Sequence, residues 1–79
     1  MTIEQLRGTR EANPFRPFTI HLADGRSLRV PHRDYLSTSP GGRTVIVYQA
    51  GEAFSIIDLL LVTKLAIEDA PTAAGGGGA

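Results

Sequence analysis

The sequence predicts a mainly β domain, in which a short N-terminal helix precedes about five antiparallel strands curled into a small barrel. Three observations predict it. Apolar and polar residues alternate with period two in Phe18-Thr19-Ile20-His21-Leu22 and again in Leu28-Arg29-Val30, as in strands with one buried face. Turn formers, Asp24-Gly25, Pro40-Gly41-Gly42 and Ala50-Gly51, punctuate the chain at short intervals. A flat sheet of such short strands would also expose two unpaired edges, which closure removes.

The helix comes first. Thr2 and Gln5 stand at capping-box spacing, with Ile3 and Leu6 on one side. Gly8 weakens the middle and Asn13-Pro14 stops it, so the helix is expected from Ile3 to about Glu11. Its apolar stripe is narrow, which places it at the open end or edge of a larger unit.

Pro14 and Pro17 then hold the chain extended before the first strand. The register of the first hairpin follows from parity. A two-residue Asp24-Gly25 loop sets Ile20 beside Arg29 and Leu22 beside Ser27, which mixes the faces. A three-residue loop, Ala23-Asp24-Gly25, pairs Leu22 with Arg26, Ile20 with Leu28 and Phe18 with Val30. The second keeps the apolar residues together and predicts a type I turn with Gly25 at the left-handed bulge position.

Pro31 interrupts the ladder, and His32 to Ser39 is expected to resume as a weaker strand. Thr44 to Gln49 is the strongest strand signal in the chain, being β-branched and aromatic. After Gly51 the chain turns into Ala53 to Ile57. Ile57, Leu60, Leu61 and Lys64 would share a helical face, but from Val62 onward Thr63, Leu65 and Ile67 alternate with Lys64, Ala66 and Glu68. Asp58 to Leu61 is therefore read as one tight turn and Val62 to Glu68 as a final strand. Leu60, Val62 and Ala66 then face away from Leu61, Leu65 and Ile67. A strand apolar on both sides points to cover by another subunit, with Leu60, Val62 and Ala66 as the candidate oligomer interface.

The 79 residues make a single domain, expected over residues 2–69, followed by a Gly/Ala-rich tail, 70–79, expected to be disordered. A chain this short buries only about 60% of its unfolded surface, so its core needs a supplement. Without cysteine there is neither a disulfide framework nor a thiolate metal site, which leaves homo-oligomerisation. The longest apolar run, Leu59 to Val62, is far too short to span a bilayer. With no resemblance to a signal peptide either, a soluble, cytoplasmic protein is expected. The formal net charge is zero but uneven. Up to Arg43, seven arginines face Glu4, Glu11, Asp24 and Asp34; from Thr44 onward, Lys64 faces Glu52, Asp58, Glu68 and Asp69. Such asymmetry suits an anionic partner or head-to-tail alignment of identical subunits.

The element order, with its Asp24-Gly25 hairpin and the tight turn of "IDLLLVTKLAI" into a last strand, resembles the Sm-like small barrel of RNA-binding rings, and more broadly an SH3-like barrel. No Tyr-Lys-His stands before the last strand, where the RNA chaperone ring carries it. The runs "RPFTIHLADGR", "VPHRDYL", "SPGGRTVIVY" and "IDLLLVTKL" are also similar to a family of short, uncharacterised bacterial proteins, a resemblance that implies a fold and no mechanism.

Candidate chemistry is thin. His32-Arg33-Asp34 spells the start of a kinase catalytic loop, but that loop needs Asn where Ser39 stands. His21, His32 and Asp34 carry the donor types of an open metal triad, without a further ligand nearby. Ser37, Thr38 and Ser39 lack an elbow motif, and "PGGR" lacks the Lys-Ser/Thr of a phosphate loop. No enzymatic activity, cofactor, metal or small-molecule substrate is therefore expected. For nucleic acid, Arg26, Arg29, Arg33 and Arg43 supply guanidinium forks for phosphate, and Tyr35 or Tyr48 a stacking ring. The expected role is a non-enzymatic interaction or assembly module that associates with itself; RNA or single-stranded DNA binding through Arg26, Arg29, Arg33, Tyr35 and Arg43 is the alternative.

Overall fold

The computed structural model describes residues 1–68; the tail expected over 70–79 lies outside them. Helix α1 spans Ile3–Glu11 and opens with the capping box, Gln5 N–H donating to Thr2 Oγ1 and Thr2 N–H to Gln5 Oε1. Six strands follow: β1 Phe18–Leu22, β2 Ser27–Val30, β3 Leu36–Thr38, β4 Thr44–Tyr48, β5 Phe54–Asp58 and β6 Val62–Ile67. They form two three-stranded antiparallel sheets, ordered β2-β1-β6 and β3-β4-β5.

This corrects the expected barrel. Among the described residues there are six strands rather than about five, and neither sheet closes. Two breaks explain it. Pro31 has no N–H for a ladder, and Arg33–Tyr35 winds into a 3-10 turn where a strand was expected, so pairing restarts only at Leu36. Between β5 and β6, Asp58 accepts from the Leu60 N–H and caps the 3-10 turn Leu59–Leu61. That turn hands the chain from one sheet to the other. The turn itself and the β1–β2 register agree with the sequence reading: Phe18 pairs with Val30, Ile20 with Leu28 and His21 with Ser27. Gly25, at φ 94°, donates to the Leu22 carbonyl in the left-handed position that a side chain would strain.

Both sheets turn their apolar residues onto one core. Phe18, Ile20, Leu22, Leu28, Val30 and Val62 come from the first sheet, Leu36, Val45, Val47 and Ile57 from the second. Helix α1 adds Leu6, fully buried, and lies along edge strand β3. There Arg10 Nε donates to the Leu36 carbonyl at 2.8 Å, and Arg7 Nη2 to the Ser39 carbonyl at 3.0 Å. Gly42 makes room for the helix: at φ 79°, its missing Cβ would stand 3.3 Å from the Ile3 side chain.

Candidate interaction surface

Each of the four arginines that the sequence offers as anion contacts, Arg26, Arg29, Arg33 and Arg43, has a partner within the chain. Arg26 meets Asp24 at 2.9 Å across the hairpin turn. Arg29 on β2 makes a two-point contact with Glu68, its Nε and Nη2 donating at 2.8 and 3.1 Å. Arg43 reaches Asp58 at 3.4 Å. Arg33 donates to the Ala12 carbonyl at 2.8 Å, with its guanidinium carbon 5.7 Å from the Phe15 ring centre. Hydrogen bonds hold the carboxyls below their ordinary range: chiefly the Arg26 backbone N–H for Asp24, the Leu60 backbone N–H for Asp58 and the Arg29 side chain for Glu68. The Glu68 contact in turn raises Arg29. The uneven charge of the two halves is thus partly cancelled inside one chain, through Arg29–Glu68 and Arg43–Asp58.

Tyr35 and Arg29 meet at a shallow, open groove of about 330 Å³, lined also by Pro31, Tyr48, Gln49 and Ala50. The other nominated arginines do not line it. His32 packs its ring 6.0 Å from Tyr35, while His21 Nδ1 sits 3.2 Å from Ser27 Oγ on the first hairpin. Among the described residues, no group of three or more His, Cys, Asp or Glu is placed to hold a metal ion. None of the described helices is long and apolar enough to cross a membrane.

The nominated oligomer surface divides. Leu60, on the 3-10 turn, is 76% exposed, and Ala66 is half-buried on β6. Val62 is 3% exposed and packs in the core, because β6 pairs with β1 and sets Val62 opposite Leu22. Val62 therefore supports the fold in the single chain rather than offering a surface.

A second surface lies on β4 and β5, strands that the sequence predicts without marking their outer face. On β4 and β5, Ile46 pairs with Ile56 and Tyr48 with Phe54. Their neighbours Val45, Val47 and Ile57 fill the core, so the four alternate residues point outward. Phe54 is 54% and Ile56 64% exposed, and the Tyr48 and Phe54 rings pack at 6.2 Å. The block is bounded by Thr44 and Asp58 at one end and by the Gln49–Ala53 turn at the other. The available signal was apolar residues at both parities of two adjacent strands. No family model matches the chain, and no curated protein or solved structure shows significant similarity to it.

Proposed function

We propose that the protein is a non-enzymatic interaction module that holds a protein partner on the outer face of β4 and β5. The observation that carries this reading is the contiguous apolar block Ile46, Tyr48, Phe54 and Ile56 on an antiparallel sheet, where the solvent face is ordinarily polar. Exposed apolar surface gathered in one place marks contact sites, since burying it releases about 25 cal/mol per Å². Nucleic-acid binding is the second reading, supported by Tyr35 and Tyr48 beside Arg29 at one groove. The internal partners of Arg26, Arg29, Arg33 and Arg43 weigh against it, since a phosphate must compete with each of them.

The test is native mass determination on the protein purified from cells, before and after nuclease. A protein-only mass above the monomer, unchanged by nuclease, is the expected result. A mass that collapses on nuclease treatment favours the second reading, and a bare monomer overturns the first.

A further inference from the structure

The groove beside Tyr35 and the outer face of β4 and β5 share a residue. Tyr48 stands at one end of the apolar block, opposite Phe54, and also lines the groove with Tyr35, Pro31, Arg29, Gln49 and Ala50. The block therefore continues onto a second tyrosine ring and a proline. At about 330 Å³ the groove is at the small end of ligand sites, which span about 300–1,000 Å³. Being shallow and open, it suits a segment laid across it rather than an enclosed small molecule.

The polar groups of the lining are mainly donors. No carboxylate is among them. Arg29 gives Nε and Nη2 to Glu68, and its Nη1 has no partner among the described residues. The Gln49 side-chain amide and the hydroxyls of Tyr35 and Tyr48 have none there either. Because Glu68 already balances the charge of Arg29, the complementary occupant is rich in acceptors but carries no net negative charge. Ordinary peptide backbone brings an N–H with every carbonyl, and each N–H laid against this lining would meet mostly donors. A proline-rich chain brings carbonyls alone: proline has no N–H, and the polyproline II helix has no internal hydrogen bonds, so its carbonyls are all free. Such segments dock in aromatic-lined grooves, and a conformation set before binding lowers the ordering cost at so small a site.

We propose that this groove binds a proline-rich segment of the partner protein in the polyproline II conformation, its rings on Tyr35 and Tyr48 and its carbonyls on Arg29 Nη1 and the Gln49 amide. The proposal rests on the module reading above and names the chemistry of its partner. The test titrates the purified full chain with an acetylated, amidated polyproline peptide, beside a Gly-Ser peptide and an oligouridylate of equal length. Tyr35 and Tyr48 are the only tyrosines and there is no tryptophan, so the intrinsic fluorescence of the chain comes from the groove alone. Amide chemical shifts follow the oligouridylate. A saturable change with polyproline and none with the Gly-Ser peptide is expected. Tyr35→Ala, outside the β4–β5 block, should weaken binding about tenfold or more. Tyr35 packs against the core, so a circular dichroism melt accompanies it, and Gln49→Glu supplies a variant at an exposed position. That substitution exchanges a donor for an acceptor and should also weaken binding. Absent polyproline binding, or binding indifferent to both substitutions, overturns the proposal. Oligouridylate in the groove in place of polyproline overturns it in favour of nucleic acid. The module reading falls separately, on a bare monomer from cells, whatever polyproline does.

Discussion

Arg29 and Glu68 form a two-point ion pair that joins β2 to the residue following β6, across the intervening β1. The two strands at the flanks of the first sheet are thereby tied over its centre, 39 residues apart in sequence. The pair is solvent-exposed, so its contribution to stability is small and weakens with salt. Arg29→Ala and Glu68→Ala should each lower the melting temperature slightly, far less than a core truncation. Exchanging the two residues should recover most of the loss, as read in a double-mutant cycle.

Acid should weaken the fold through the same contacts. The carboxyls of Asp24, Asp58 and Glu68 all lie below their ordinary values, 3.8 for the aspartates and 4.5 for the glutamate. A carboxyl lowered by folding favours the native state when ionised. Its contribution is complete above the ordinary value and disappears as the pH falls through the lowered one. Denaturant midpoints should therefore hold from neutral pH to about 4.5 and fall below it, and Glu68→Gln should flatten part of that fall.

Leu6 is the only buried residue of α1. Leu6→Ala should cost about 2–5 kcal/mol, a large share of the stability of so small a domain. Urea unfolding followed by circular dichroism measures it. Thr2→Ala, which removes one half of the capping box, should cost about 1 kcal/mol in the same assay.

Gly42→Ala brings two penalties together, a side chain in left-handed backbone and a Cβ pressed on Ile3. The backbone penalty alone is about 1–2 kcal/mol. Truncating Ile3 to Ala in the same chain removes Cγ1 and Cγ2 but keeps the Ile3 Cβ at 3.3 Å, so it should relieve part of the contact and none of the backbone penalty, and the two substitutions should be less than additive.

Val62→Glu and Leu60→Glu separate fold from surface. Glutamate at buried position 62 leaves a charge without a partner in the core and should unfold the chain. At position 60, largely exposed on its turn, it should leave melting unchanged. Comparable melting of the two variants would overturn the placement of Val62.

Local chemistry was legible in the sequence, and long-range pairing was not. Thr2 with Gln5 announced the helix, and parity alone fixed the pairing of Phe18 with Val30, because a one-residue slip would have turned every apolar side chain outward. Asp58 as a turn-former was readable for the same reason: its cap reaches only two residues ahead. The pairing of β1 with β6 carries no such local mark, and without it two sheets and a barrel have the same strand pattern. Arginine partners were hidden likewise, since a charge count does not say that Arg33 bends back to Ala12. The outward block on β4 and β5 was within reach. Apolar residues at both parities, the mark by which the last strand asks for cover, stand equally in Val45-Ile46-Val47-Tyr48 and in Phe54-Ile56-Ile57.

The arginines that α1 lays along β3 set a limit on growth. With Arg10 on the Leu36 carbonyl and Arg7 on the Ser39 carbonyl, one border of the second sheet is already occupied by side chains from its own chain. Fibrils lengthen by adding strands at both borders of a sheet. Here two carbonyls of the β3 border already have donors, so a strand added there must displace Arg7 and Arg10, and β5 is left as the open border of this sheet.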